Sequence, residues 1–131
     1  MSRKFALDTN AFSAVILGDP ILLRLTETAA SLAVPVPVLG ELYYGYFNGS
    51  KQDENLRALA NFLELSQAII LEIDSVTARL YGEIATQLRR IGRPIQHNDI
   101  WIAALCKQHG FVLATRDTDF QAIIGLETVS F

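Results

Sequence analysis

Short apolar runs alternate along the chain with longer segments in which apolar residues recur every three or four positions. The runs predict five strands, over Lys4–Leu7, Ser31–Val36, Ala68–Ile73, Phe111–Ala114 and Leu126–Ser130. The periodic segments predict helices over Ala11–Leu17, Ile21–Ala30, Pro37–Phe47, a segment that starts within Ser50–Asn55, Val76–Ile91, Asp99–Gln108 and Phe120–Ile124. Strands alternating with helices predict an α/β fold, a three-layer α/β/α sandwich around a central parallel sheet.

Polar residues mark where two of the helices begin. We expect Thr9 or Asn10 to cap the first helix, and His97 or Asn98 to cap the helix over Asp99–Gln108. The second of these is apolar nearly all round, which is typical of a buried helix. A further helix has one apolar face, made of Val76, Leu80, Ile84, Leu88 and Ile91.

Composition narrows the class of protein. The 131 residues, 50% of them hydrophobic, are enough for one domain with a real core, over residues 1–131. A single cysteine, Cys106, excludes an internal disulfide and a cysteine-based zinc site. The start, Met1–Phe5, lacks the apolar segment of a signal peptide, and no apolar run is long enough to span a membrane. We therefore expect a cytoplasmic protein. The formal net charge of −3 argues against nucleic-acid binding unless some of the acids hold cations.

Four acids from separate segments are predicted to meet at one edge of the sheet. Asp8 follows the first strand, and Asp117 follows the fourth. Asp99 lies in the first turn of the helix that leads into the fourth strand, and Glu41 lies about one turn into the helix after the second strand. Because parallel strands end at the same edge, these carboxylates converge if the first, second and fourth strands are neighbours.

Each acid alone has an ordinary structural explanation. Asp8 could be a helix N-cap, Asp8 and Asp99 could both simply favour helix N-termini, and Asp117 and Asp119 could be turn formers. Glu41 is harder to explain in this way, because its helix is otherwise apolar and aromatic. Together the carboxylates would repel one another unless they held cations. A set of oxygen ligands without Cys or His selects Mg²⁺ or Mn²⁺.

Four sequence segments resemble a known family. The segments are LDTN at 7–10, GELYYG at 40–45, GRPIQHNDIWIAA at 92–104 and LATRDTDF at 113–120. In this order and spacing they resemble PIN-domain ribonucleases, and among these the VapC-type toxins of bacterial toxin–antitoxin pairs. The resemblance covers essentially the whole chain. It implies an endoribonuclease in which metal-activated water hydrolyses an RNA phosphodiester, with Mg²⁺ or Mn²⁺ as cofactor.

The resemblance also implies roles for individual residues. Asp8, Glu41, Asp99 and Asp117 match the family's catalytic and metal-binding acids. The small polar residues of the same segments match positions that support the acids or a bound water; these are Thr9, Asn10 and Thr115. Asp119 is close enough in sequence to share or replace the role of Asp117.

Two further sets of residues are candidates for contacts with other molecules. Arg116, beside the acids, could bind a phosphate oxygen or could be an ordinary surface arginine. Tyr43, Tyr44, Tyr46 and Phe47 provide more aromatic surface than a small domain needs, which indicates a partner surface. Core packing would account for at least two of these four rings. By resemblance the partners are the RNA substrate, a cognate antitoxin that covers this region, and a second copy that forms a homodimer.

Two other functions stay open at this point. An acid-cluster phosphotransfer or phosphatase domain also places acids at the edge of a sheet. Such phosphatases need a second Asp two residues after the first, but position 10 is Asn. Phosphotransfer receiver domains need an Asp at the end of the third strand, but Asp74, which follows that strand, lies in a helix-capping context. A catalytically silent PIN-like binding module would use the aromatic helix, but it would not need four acids.

Overall fold

Five parallel strands form the centre of the molecule. The structure is a computed structural model that describes residues 3–131; Met1 and Ser2, which the signal-peptide expectation includes, lie outside the described residues. The strands are β1 (Lys4–Leu7), β2 (Ser31–Pro35), β3 (Ile69–Leu71), β4 (Val112–Ala114) and β5 (Thr128–Val129). They lie in the order β3-β2-β1-β4-β5, and every neighbouring pair is parallel. The neighbours of β1 are thus β2 and β4, as the convergence of the acids requires.

Within residues 3–131, six α-helices accompany the sheet. They are α1 (Thr9–Ile16), α2 (Pro20–Thr28), α3 (Val36–Phe47), α4 (Gln52–Ser66), α5 (Ser75–Arg90) and α6 (His97–His109). A 3₁₀ helix over Thr118–Ala122 stands where a short helix over 120–124 was predicted. The arrangement confirms the predicted α/β/α sandwich. None of the helices in the described part of the chain is long and apolar enough to cross a membrane.

Several predicted boundaries were wrong. β3 has three residues instead of six, and β5 has two instead of five. The cap of α1 is Asp8, not Thr9 or Asn10, because the Asp8 side chain accepts a hydrogen bond from the backbone of Ala11. The N-cap of α6 is Gln96, whose side chain makes no capping hydrogen bond. His97 and Asn98 are the first two residues of that helix.

The core is centred on β1, β4 and α6. A continuous run of α6 is buried, over 102–106, which confirms the prediction of a buried helix. The predicted face of α5 was wrong at both ends, since Val76 and Ile91 are 55% and 52% exposed. Thr77 is buried instead, where its hydroxyl and backbone complete a capping box with Asp74. The Thr77 hydroxyl also donates to the Gln108 side chain of α6, so a polar contact is buried in the first turn of α5, where the pattern predicted Val76 to be buried.

Candidate active site

The carboxyl ends of the three central strands meet at one edge. Leu7 of β1 is in register with Ala114 of β4, so Asp8 and Thr115 follow at the same level. The N-terminus of α3 follows β2 directly, and α6 begins at this edge because it runs back along the sheet before β4. Five acids lie here, and we call them the acidic rim: Asp8, Glu41, Asp99, Asp117 and Asp119.

Asp8 is the most enclosed acid of the rim, with 7% of its surface exposed. Its Oδ1 accepts the backbone N–H of Ala11 over 2.8 Å, which orients the carboxylate as it starts α1. Burial raises the pKa of Asp8. The Thr115 hydroxyl and the Ala11 N–H act in the opposite direction, and the nearby charge of Asp117 adds to the increase.

Glu41 is joined to the rim by a hydroxyl group. The Thr9 Oγ1 donates to Glu41 Oε1 over 2.9 Å, linking the first turn of α1 to the second turn of α3. Glu41 is only partly exposed. The hydrogen bond fixes one carboxylate oxygen and leaves the other available to a ligand.

Asp99 shows the electrostatic character of the rim. Its pKa is raised from 3.8 to about 6, most strongly by burial. The charges of four other carboxylates add to the increase, in decreasing order Asp117, Glu41, Asp8 and Asp119. All members of the rim are thus close enough to repel the charged form of Asp99. Asp99 lies in the first turn of α6, where a helix dipole favours the charged form of an acid.

Asp117 and Asp119 are organised by the turn after β4. Thr115 Oγ1 accepts the backbone N–H of Asp117 over 3.0 Å, and Asp117 Oδ1 accepts the N–H of Asp119 over 2.9 Å. Asp117 is therefore a turn former and a member of the rim at once. Both acids line a depression of about 390 Å³, together with Asp99, Gln96, Ile95 and Pro94. Sequence reasoning did not name Gln96 and its two neighbours as site residues, although they lie within the segment 92–104 that resembles the family.

The donor set fits a hard divalent cation. Every candidate ligand is a carboxylate, the raised pKa of Asp99 reflects burial and then like charge, and Asp8 and Glu41 are held by local hydrogen bonds. Among residues 3–131, no three His, Cys, Asp or Glu side chains already converge closely enough to hold a metal ion. Binding would therefore draw the carboxylates inward.

Two of the other candidates lie beside the rim on the side of α1. Asn10 is exposed, and Arg116 directly precedes Asp117. The Arg116 guanidinium lies 3.7 Å from Asp19 Oδ2 and 4.3 Å from the centre of the Phe131 ring. Its partners come from distant parts of the chain, which explains why sequence reasoning did not find Asp19 or Phe131.

The aromatic surface on α3 is larger than expected. Tyr44 and Phe47 are 72% and 59% exposed, and Tyr43 stacks on Phe47 with ring centroids 5.9 Å apart. Only Tyr46 packs against the core among these four rings. The expectation that core packing takes at least two of them was wrong, because positions 43, 44 and 47 lie on the face of α3 that points away from the sheet.

Comparisons with known proteins agree with this fold. The PIN domain family matches residues 5–126. Ribonuclease VapC2 of Haemophilus influenzae is 33% identical over 128 residues, covering 95% of this chain and 96% of that protein. The tRNA(fMet)-specific endonuclease VapC of Shigella flexneri is 30% identical with the same coverage. The structure of VapBC2 from Rickettsia felis, bound to a DNA fragment from its promoter, superimposes with a TM-score of 0.85 at 28% identity over 98% of both chains. The chain belongs to the PIN-domain family.

Proposed function

We propose that this chain is a PIN-domain endoribonuclease, the toxin of a type II toxin–antitoxin pair, which hydrolyses RNA phosphodiester bonds. The observation that carries the proposal is the acidic rim: four carboxylates from three other segments surround Asp99 at the carboxyl edge of the sheet. The relatives named as VapC ribonucleases support it, since they align over nearly the whole chain.

We infer that the cofactor is Mg²⁺ or Mn²⁺. Asp8, Glu41 and Asp99 would hold it, with Asp117 or Asp119 as the fourth acid. When bound, such an ion supplies positive charge for the phosphate oxygens and lowers the pKa of water. The chain's own contribution is orientation: the Ala11 N–H holds the Asp8 carboxylate, and the Thr9 hydroxyl holds that of Glu41.

A protein partner follows from the same comparisons. Several of the similar structures are VapBC complexes, among them that from Rickettsia felis. A cognate antitoxin would cover the exposed rings of Tyr43, Tyr44 and Phe47 and inhibit the enzyme by placing a basic side chain at the rim. A homodimer and a cytoplasmic location complete the proposal.

Nothing in the structure favours the phosphotransfer alternative. A receiver-like site needs an acid at the end of the third strand beside Asp8. Here β3 is separated from β1 by β2. Asp74, which follows β3, caps α5 and accepts a hydrogen bond from Gln108, close to the end of α6 opposite to Asp99.

A cleavage assay tests the proposed function. Purified protein is incubated with structured RNA in Mg²⁺ or Mn²⁺, with and without EDTA, beside Asp8→Asn and Asp99→Asn. We expect cleavage by the wild type that EDTA and both substitutions abolish. Asp53→Asn, an exposed acid in the first turn of α4, is the matched control and should cleave normally. Equal cleavage by all variants, or none by the wild type, would refute the proposal.

A further inference from the structure

A second depression borders the acidic rim on the side of α1. It has a volume of about 390 Å³, and its walls include Asn10, Ser13, Ala14, Leu17, Asp19 and Arg116. We call it the α1 depression. The first four of these positions recur at helical spacing, so they form one stripe along α1 that starts next to Thr9 and extends about 10 Å away from the rim.

The turn after β4 separates this depression from the acid-lined one. Arg116 lines the α1 depression, whereas the next residue, Asp117, lines the other together with Asp119 and Asp99. Two consecutive side chains of opposite charge therefore line different depressions, Arg116 the α1 depression and Asp117 the acid-lined one. An RNA strand with one phosphate at the acidic rim would bring its next phosphate toward Arg116, where the charge is favourable.

Arg116 is held in place while part of it stays accessible. Its guanidinium is 3.7 Å from Asp19 Oδ2, a long ion pair, and lies 4.3 Å from the centre of the Phe131 ring. Asp19 Oδ1 accepts the backbone N–H groups of Ile21 and Leu22 at the start of α2, which anchors that carboxylate. The Arg116 side chain is nevertheless 55% exposed. Five N–H donors in a fixed plane leave several for a phosphate.

The polar side chains on the opposite wall also have hydrogen-bonding capacity to offer. Asn10 and Ser13 are both exposed, and neither side chain forms a hydrogen bond within residues 3–131. An amide and a hydroxyl can pair with the edges of a nucleobase or with a ribose hydroxyl. Leu17, 87% exposed, adds an apolar surface at the far end.

We propose that the α1 depression binds the nucleotide adjacent to the scissile phosphate, and that Arg116 is the positioning residue that binds this nucleotide's phosphate. The inference rests on the proposed function, because it assumes that RNA crosses the acidic rim. Asp19 and Phe131 hold the guanidinium in place, and Asn10 and Ser13 face the base or the sugar. Arg116 contacts the substrate beside the reacting atoms and takes no part in bond cleavage.

Salt-dependent binding tests this assignment without relying on cleavage. Fluorescence anisotropy measures the dissociation constant of a labelled single-stranded RNA for the Asp99→Asn protein in Mg²⁺, over a range of KCl concentrations. We expect Arg116→Ala to weaken binding about tenfold and to lower the slope of log K against log salt by about 0.7, the value for one phosphate contact. Arg116→Lys should keep most of the slope. Arg24→Ala, an exposed arginine on α2, is the control with the same loss of charge.

A second variant tests the depression itself. Ser13→Glu adds a negative charge on an exposed face of α1, and Thr86→Glu adds the same charge at an exposed position of α5, outside the α1 depression. We expect Ser13→Glu to weaken RNA binding at least fivefold more than Thr86→Glu. A purely structural role of Arg116 would lower the melting temperature and leave the salt slope unchanged.

The outcomes separate this inference from the proposed function. Normal cleavage by the wild type, with unchanged slopes for Arg116→Ala and equal effects of the two glutamates, overturns the inference and leaves the nuclease intact. Absence of both RNA binding and cleavage overturns both.

Discussion

The charged side chains at the two edges of the parallel sheet differ in whether they have partners of opposite charge or polarity. At the amino edge, Lys4 Nζ donates to the His109 carbonyl over 2.8 Å and lies 4.6 Å from the centre of the Phe111 ring. That carbonyl belongs to the last turn of α6, where the helix dipole favours a cation. Arg3 pairs with Glu127 close by. At the carboxyl edge, by contrast, none of the rim carboxylates forms an ion pair with Lys or Arg in the part of the chain that the structure describes.

The charges at the amino edge therefore stabilise the fold, whereas those at the carboxyl edge destabilise it. Pairing at the amino edge lowers the free energy of the folded state slightly. At the carboxyl edge, burial and then the crowding of like charges raise this free energy, which is why the pKa of Asp99 is elevated. A set of acids that costs stability and forms no ion pair with Lys or Arg within residues 3–131 is typical of a functional site. Substitutions at the two edges should accordingly have opposite consequences for activity and stability.

The largest expected effect is the loss of activity on replacing Glu41. Glu41→Gln keeps an oxygen that can accept the Thr9 hydroxyl but removes the charge. We expect the initial rate of RNA cleavage to fall about 100-fold or more, while the melting temperature stays the same or rises, because repulsion in the rim decreases. Glu64→Gln, an exposed glutamate on α4, serves as the control. A cleavage rate within twofold of the wild type would remove Glu41 from the catalytic set.

A smaller effect is expected at the hydroxyl that orients Glu41. Thr9→Val conserves shape and removes the donor to Oε1. Groups that hold metal ligands typically contribute 10- to 100-fold to affinity or activity, so we expect about a tenfold increase in the Mn²⁺ concentration that gives half-maximal cleavage. Thr9→Ser should restore most of the affinity. If valine and serine behave alike, the hydrogen bond does not orient the ligand.

The raised pKa of Asp99 predicts how stability depends on pH. Because this pKa is 3.8 for an ordinary Asp and about 6 here, the folded protein binds the proton more tightly than the unfolded chain. Without divalent ions, stability should therefore fall as the pH rises from about 4 to 6 and change little above that. Asp99→Asn should be more stable than the wild type at pH 7.5, by about 1–2 kcal/mol after allowance for screening.

Thermal unfolding without divalent ions at pH 4.5 and pH 7.5 measures this difference. The advantage of Asp99→Asn should shrink at the lower pH, and added Mg²⁺ should raise the melting temperature of the wild type more than that of the variant. The same comparison with Asp53→Asn should show no such pH dependence. A larger advantage at pH 4.5 than at pH 7.5 would contradict the direction assigned to the pKa of Asp99.

The sequence was sufficient for the features that follow from local pattern and from topology. Alternating apolar runs and periodic segments predicted the sheet and its helices, and parallel strands place their carboxyl ends together whatever the loops do. For this reason the convergence of Asp8, Glu41, Asp99 and Asp117 could be predicted from positions alone. Their roles as ligands stay predictions.

Features that depend on side-chain contacts between distant segments could not be predicted. Arg116 meets Asp19 across most of the chain, and only the folded structure shows that the two share a depression. Thr77 is buried because Asp74 and Gln108 satisfy its hydroxyl, which overrides the apolar pattern of α5. Likewise, the exposure of Tyr43 depends on how α3 is rotated against the sheet.

The smallest expected effect is at the amino edge, where Arg3 pairs with Glu127. Both side chains are more than half exposed, so solvent screens their attraction and a pair of this kind contributes about 0.5 kcal/mol or less. A double-mutant cycle with Arg3→Gln and Glu127→Gln, followed by urea unfolding in low and high salt, should give a coupling energy in that range that decreases with salt. Cleavage should be unchanged in all three variants. Loss of activity in any of them would show that charges at the amino edge contribute to catalysis, although they lie at the opposite end of the sheet from Asp99. That result would contradict the assignment of catalysis to the carboxyl edge alone.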